Sequence, residues 1–239
     1  SRLSCPFIAN SMMLQIGPHQ LCNNVILAPM AGVTDLPFRE LCLELGAGLA
    51  VAEMLTADPA LNHSRKSQLR RRHSTKAALR SVQMVGSDPK RLATAARWNA
   101  EDGADIIDIN MGCPVSKVVT KGGGSALMKE VKNLAPLFEK MRSKMNIPLS
   151  IKIRTGWDAN SLNAAEILKI AHESGIEWVA IHGRTRAQQY TGAADWDFIE
   201  ALNETKCLPL VGNGDLHHPF GVSEKLQSSK CDALMIARG

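Results

Sequence analysis

The sequence predicts an α/β protein, a (β/α)8 TIM barrel that ends at its eighth strand. Short β-branched runs alternate with helix-period segments along all 239 residues, and such alternation means parallel β-α-β units with right-handed crossovers. Eight strand candidates in this length fit a closed barrel better than an open doubly wound sheet. Polar or glycine-rich clusters follow almost every one of them, at the end where barrel enzymes carry their chemistry.

The expected strands are 25–28, 48–52, 81–85, 105–109, 149–153, 178–181, 208–211 and 233–236. Each is an apolar run of strand length bounded by turn residues. The expected helices are 36–45, 59–71, 89–101, 132–144, 164–173, 196–203 and 219–227. Asp35, Asp88 and Asp195 stand where N-caps belong, and Pro37 and Pro89 fit the first turns that follow. Eight strands against seven helices leave the closing helix unaccounted for, because the chain stops at Arg238-Gly239. The expectation is therefore a fragment, or a larger protein whose remainder lies elsewhere. Residues 1–15 read as an N-terminal extension or tag remnant, and 16–239 as the barrel.

Composition excludes several classes. No apolar run approaches the roughly 20 residues that span a bilayer. The start lacks a basic stretch followed by an apolar core, which argues against a secretory signal and leaves the cytoplasm or an organelle. The six cysteines are widely spaced with no C-x-x-C pair, unlike a disulfide framework or a zinc site. Net charge is +5, but its distribution matters more. Between Asp58 and Asp88 there is no acid, while Arg65, Lys66, Arg70, Arg71, Arg72, Lys76 and Arg80 are all basic. That segment is either a solvated helix face or a phosphate-contacting patch for nucleic acid.

The strand ends supply the candidate site. In order they read Ala28-Pro29-Met30-Ala31-Gly32, Glu53-Met54, Gln83, Asn110-Met111-Gly112-Cys113-Pro114, Lys152 with Arg154, His182-Gly183-Arg184, Asn213-Gly214-Asp215 and Arg238-Gly239. Strand alternation puts Lys152 and Arg154 on one face, Asp108 with Asn110, and His182 with Arg184. Two cations aimed into a barrel mouth need partners, either a ligand or an inward carboxylate such as Asp108 or Glu53. The turns after strands seven and eight occupy the usual barrel phosphate site, where glycine admits backbone N–H groups and Arg238 adds charge. Cys113 lies in a loop at the catalytic end; a thiol there is either a packed group or a proton donor. His182 is an acid, a base, a ligand contact or a satisfied strand-end histidine. His217-His218 has no third ligand in register and is rejected as a metal site. Gly122-Gly123-Gly124-Ser125 lacks the Walker frame and reads as a mobile loop before a helix start.

The run Ala28-Pro29-Met30-Ala31-Gly32-Val33-Thr34-Asp35 with Pro37-Phe38-Arg39 resembles the opening of tRNA-dihydrouridine synthases, particularly the bacterial B-type group. Asp108-Ile109-Asn110-Met111-Gly112-Cys113-Pro114 is similar to their catalytic loop. Lys152-Ile153-Arg154-Thr155-Gly156-Trp157, His182-Gly183-Arg184-Thr185-Arg186 and Asn213-Gly214-Asp215 resemble later motifs in order and spacing. The resemblance implies flavin mononucleotide (FMN) across the barrel mouth, with Pro29, Met30 and Ala31 against the ring system and Gln83, Lys152 and His182 at its polar edge. Asn213, Gly214, Asp215, Ala237, Arg238 and Gly239 would hold the ribityl phosphate. NADPH would reduce the flavin, hydride would pass to C6 of a flipped-out uracil, and Cys113 would protonate C5. Asn110 and Arg154, with Arg184 and Arg186, would bind the tRNA substrate.

Three departures accompany this resemblance. Nothing corresponds to the family's C-terminal helical tRNA-binding domain, Ala237 stands where glycine is usual, and the leader before Ile16 has no counterpart. Three rivals remain: a flavin barrel acting on a free pyrimidine, such as a dihydroorotate dehydrogenase; an aldolase-type barrel with Lys152 as Schiff-base nucleophile; and a non-catalytic RNA-binding module.

Overall fold

The computed structural model describes residues 13–61, 64–74 and 77–238. It opens with a two-stranded antiparallel hairpin, β1 (Gln15–Ile16) and β2 (His19–Gln20). The parallel strands follow as β3 (Val25–Leu27), β4 (Leu49–Ala50), β5 (Leu55–Thr56), β6 (Ser81–Val85), β7 (Ile106–Asn110), β8 (Leu149–Arg154), β9 (Trp178–His182), β10 (Leu210–Asn213) and β11 (Ala233–Ile236). They form one nine-stranded sheet in the order β4-β3-β11-β10-β9-β8-β7-β6-β5. Val51, just past β4, bridges Ser81 at the start of β6, so the sheet curls back on itself. β5 is a short extra piece paired only to the upper half of β6.

The helices are α1 (Leu36–Glu44), α2 (Arg65–Arg71), α3 (Pro89–Glu101), α4 (Ser116–Val119), α5 (Leu134–Arg142), α6 (Ala164–Glu173), α7 (Trp196–Glu204) and α8 (Pro219–Ser228). The three expected caps form: Asp35, Asp88 and Asp195 accept from the N–H groups of Phe38, Arg91 and Phe198. The helix expected over 59–71 is instead a 3-10 turn (Pro59–Leu61) followed by α2. The Ser64 hydroxyl accepts from the N–H of Ser67 and starts a new helix there. α4 was not expected; a 3-10 turn over Gly124–Lys129 stands where the helix start after the glycine run was read, and another over Val131–Asn133 takes the first residues of the helix expected over 132–144.

The core has two shells. Outside the strands, Leu92, Phe138, Met141 and Ile167 of the helices pack on outward residues such as Val82, Ile107, Ile109 and Ile151. Inside the barrel, Ile26, Leu49, Ile106, Trp178, Val211 and Ala233 fill the space, together with Leu14, Ile16 and Leu21 from around the hairpin. The hairpin therefore plugs the amino-terminal end of the barrel. Leu14, expected in the extension, is 3% exposed and belongs to that plug.

Several strands run one or two residues further than expected. Asn110, Arg154, His182 and Asn213 close their strands instead of starting loops. The parallel ladder pairs Arg154 with His182 and His182 with Asn213, so three polar side chains occupy one rung at the barrel mouth.

Phe138 is fully buried where α5 meets the outer core. Phe138→Ala should cost about 3–5 kcal/mol in chemical denaturation. A loss below ~1 kcal/mol would mean that the helix layer is not close-packed there.

Candidate active site

The carboxyl ends of the strands surround one cavity of about 990 Å³. Pro29, Met30, Ala31, Gln83, Asn110, Cys113, Lys152, Arg154, His182, Arg184, Asn213, Gly214, Asp215, Ala237 and Arg238 all line it. Arg186 does not; its guanidinium sits over the Trp157 ring at 4.4 Å. Gly239 falls outside the described residues.

The Cys113 loop is held from several sides. Asn110 Oδ1 accepts from the N–H groups of Gly112 at 3.2 Å and Cys113 at 2.9 Å. Arg154 Nε donates to the Gly112 carbonyl at 2.7 Å. The Cys113 carbonyl accepts from both the N–H and the hydroxyl of Ser125. Gly124 has φ +58°, and a Cβ there would stand 2.7 Å from that carbonyl. The glycine run expected to be a mobile loop is thus a packed buttress under the thiol, with Gly124 and Ser125 buried. Cys113 itself is half-buried and unpaired.

Beneath the loop lies an interior polar layer. Asp108 is 2% exposed and accepts from Gln83 Nε2 at 2.7 Å and from the Ser150 hydroxyl at 2.6 Å. Burial raises its carboxyl to about 6, opposed by those two bonds and by the Lys152 charge. Gln83 Oε1 in turn accepts from Asn110 Nδ2 at 2.9 Å.

Lys152 and Arg154 do not pair with an inward carboxylate. Glu53 accepts from the Gly32 N–H at 2.6 Å and faces Arg70 at 3.3 Å, while Asp108 is bonded to Gln83 and Ser150. Lys152 Nζ instead donates to Asn213 Oδ1 at 3.0 Å, and Asn213 Nδ2 donates to the Met235 carbonyl. Burial, then the neighbouring Arg154 charge, pulls Lys152 down to about 8, with Asp108 opposing. Arg154 gives Nη1 to the carbonyls of Thr185 and Gln189. A lysine and an arginine with only neutral hydrogen-bond acceptors leave this mouth short of negative charge, which suits an anionic or carbonyl-rich ligand.

His182 is driven down to about 2 by burial and by Lys152, Arg154 and Arg184, so it is neutral at any physiological pH and is no store of protons. Its Nε2 lies 3.2 Å from Arg184 Nη1, which can only donate, so the ring hydrogen is assigned to Nδ1.

Arg184 makes a bidentate pair with Asp215 at 2.8 and 3.0 Å, and also donates to the carbonyls of Thr191 and Gly192. Asp215 accepts as well from the Ala194 N–H. These side chains therefore brace the loop after β9 against the turn after β10. Gly214 has φ +129°, and a Cβ there would meet the Ala194 Cβ at 2.7 Å, so close packing alone demands glycine. The two histidines are likewise accounted for: His217 lies 3.9 Å from Asp215, and His218 caps α8 by accepting from the Phe220 N–H. Among the described residues no cluster of histidine, cysteine or acidic side chains is placed to hold a metal ion. No described helix is long and apolar enough to cross a membrane.

Met54 lines the cavity as its strand-end position suggested, whereas sequence reasoning missed Val115 and Tyr190, which also line it. Tyr190, the only tyrosine in the chain, lies under the guanidinium groups of Arg238 at 4.4 Å and Arg154 at 5.5 Å. Its place eight residues past β9, in a loop without period, gave no signal. The basic segment also divides. Arg70 turns inward to Glu53 and the Met54 carbonyl, and Arg71 stacks on Trp98. Arg65 and Arg72 are exposed. Lys76 and the side chain of Lys66 fall outside the described residues.

Against known proteins, the profile of the dihydrouridine synthase (Dus) family matches residues 26–239. The chain belongs to the dihydrouridine synthase family. It is 47% identical over 225 residues to the tRNA-dihydrouridine synthase B of Pseudomonas syringae pv. tomato, covering 94% of this chain and 67% of that one. The synthase B of Vibrio cholerae is also 47% identical over 225 residues, with 94% and 70% covered. Two solved structures share the fold. They are a histamine dehydrogenase from Rhizobium sp. 4-9 (TM-score 0.67, 13% identical) and a 2-naphthoyl-CoA reductase (TM-score 0.71, 12% identical). This chain is covered to 95% in both comparisons, and spans 45% and 49% of those chains. At that identity they speak for the barrel alone.

Two outcomes follow for this Dus-family barrel. Asp108 binds its proton more tightly folded (about 6) than at its ordinary value of 3.8. Its contribution to stability is therefore full below pH ~4 and lost as pH rises through ~6. Relative to Asp108→Asn, the wild-type chain should gain about 2 kcal/mol between pH 6 and pH 4, read by urea denaturation; a flat difference would contradict the burial. Separately, Arg184→Ala takes the bidentate partner from Asp215, which keeps the Ala194 N–H, and should cost about 2–3 kcal/mol. Arg186→Ala should cost less than about 1 kcal/mol. Equal losses would refute the bracing role of Arg184.

Proposed function

We propose that this barrel binds flavin mononucleotide and reduces specific uridines in tRNA to 5,6-dihydrouridine, with NADPH as the source of electrons. The observation that carries the reading is the placement of Cys113 on the same cavity as the Lys152–Asn213–His182 cluster. A thiol and a set of flavin-edge donors share one mouth, as a reaction that adds hydride and proton to one double bond requires. Membership of the family and likeness to proteins named tRNA-dihydrouridine synthase B support the substrate class.

The residues present fit the cofactor. The cavity has the size of a cofactor site, and its desolvated lysine has no carboxylate partner. Met30 with Pro29 and Ala31 offers an apolar wall for the ring system. Gln83, Lys152 and the Nδ1–H of His182 offer donors at its polar edge. Asn213, Gly214, Asp215, Ala237, Arg238 and Gly239 would receive the ribityl phosphate, with the Arg238 guanidinium as its counter-charge. The Asp215 carboxylate is bound to Arg184 and Ala194, so its part is to shape the turn. A flavin held there would supply, once reduced, hydride for C6 of uracil.

The chain's own residues supply the remainder. The Cys113 thiol gives its proton to C5, and the Ser125 and Asn110 bonds keep it at the mouth. Arg154 sits beside that thiol, where a cation stabilises the charge that develops on the uracil carbonyls. Arg184 acts by bracing its loop, while Arg186, outside the cavity, would contact a tRNA phosphate. Exposed Arg65 and Arg72 would offer further positive charge to tRNA, whereas Arg70 serves the fold.

The first test is a visible spectrum with the released cofactor identified. Flavin mononucleotide is expected; a colourless protein that also refuses added flavin sinks the reading. In Cys113→Ala, flavin content and its bleaching by NADPH should persist, while dihydrouridine formation on tRNA falls by at least about 100-fold. Undiminished product would remove Cys113 from the chemistry.

A further inference from the structure

A hydrogen-bond chain runs from the barrel interior to the Cys113 loop, and its direction is fixed at both ends. The N–H groups of Gly112 and Cys113 can only donate, so the Asn110 atom facing them is the oxygen. Its NH2 then points to Gln83, which must present oxygen there and its own NH2 to Asp108. The chain ends on that buried carboxyl, whose second oxygen takes the Ser150 hydroxyl. We propose that position 108 is a positioning site for the Cys113 loop: the hydrogen-bond acceptor that Asp108 presents to Gln83 keeps the Gln83 and Asn110 amides turned one way, and so holds the backbone N–H groups that fix the thiol.

Three observations favour this over independent packing contacts. All links are 2.6–2.9 Å long except the one to the Gly112 N–H, at 3.2 Å. Asp108 is buried to 2% exposure and does not line the cavity, so water does not substitute for a missing partner at that end of the chain. The nearest cation, Lys152, donates to Asn213 rather than to Asp108, which leaves the carboxylate to the amide chain. The consequence for uridine reduction rests on the function proposed above; the geometry of the loop does not.

The chain can be run backwards, which provides the test. Asn110→Asp still accepts from the loop, but its second oxygen meets Gln83 Oε1. Turning Gln83 over only moves the clash to Asp108 in its ionised form, the form that holds above about pH 7, where the thiol's limiting rate is read. Asp108→Asn alone is tolerated, because Ser150 can accept in place of donating. Combined, the two substitutions reverse both amides and leave every bond made: the new amide at 108 donates to Gln83, and Gln83 donates to the new carboxylate at 110.

The measurement is iodoacetamide labelling of Cys113, resolved by peptide mass spectrometry and followed across pH. The limiting rate of the ionised thiol reports position separately from charge. Asn110→Asp should raise that rate about five-fold or more, and Asp108→Asn should stay within about two-fold of wild type. The double variant should return to within about two-fold. An unchanged rate in Asn110→Asp, or a double variant as fast as Asn110→Asp, overturns the proposal. If Asn110→Asp does not fold, recovery of folded protein and of the wild-type rate in the double variant supports it, and no recovery overturns it. Flavin content and dihydrouridine formation, measured in parallel, report on the function itself, so a failure there is distinguishable from a failure of the relay.

Discussion

Closing parallel strands into a barrel forces every strand end to face every other across one mouth, and the rest of the site depends on that constraint. The ladder register pairs Arg154 with His182 and His182 with Asn213, so charged and polar groups far apart in the chain share one rung. With Lys152 one side-chain step below, the cluster loses water without gaining a carboxylate. That imbalance pulls Lys152 and His182 down and leaves the mouth suited to an electron-rich ligand.

The same constraint sorts the barrel interior by height. At the amino-terminal end Trp178, Ile106 and Leu49 pack on the hairpin plug. Above them Gln83, Asp108 and Ser150 form a polar layer in which each buried group finds a partner. Above that layer lies the Cys113 loop. Rigidity therefore passes upward from a dry floor, through a hydrogen-bonded middle, to a thiol held by backbone bonds. Precise placement of a side chain needs such support, since a loop bound only by its own ends would sample many positions.

The charged residues illustrate how position overrides type. Arg154, Arg184 and Arg186 fall within one family-like set of motifs, yet the fold gives them three different duties. Arg154 ties the thiol loop to the loop after β9. Arg184 spends its donors on Asp215 and two carbonyls. Arg186 lies on Trp157 outside the cavity. Similarly, Arg70 of the basic segment reaches inward to Glu53, while Arg65 and Arg72 stay in water.

By itself the sequence determined the barrel, the order of its elements, three helix caps and nearly the whole cavity lining. It could do so because alternation, capping and strand-end position are local patterns that survive whatever the chain packs against. Only the tertiary structure decided what those residues do once together. The plug formed by the hairpin, the buttress at Gly124-Ser125, the place of Tyr190 and the pairing of Arg184 with Asp215 all depend on contacts between distant segments. So does the direction of the Asp108–Gln83–Asn110 chain. Hydrogen-bond partners and desolvation are properties of three-dimensional neighbours, and side-chain period in one strand carries no record of the strand beside it.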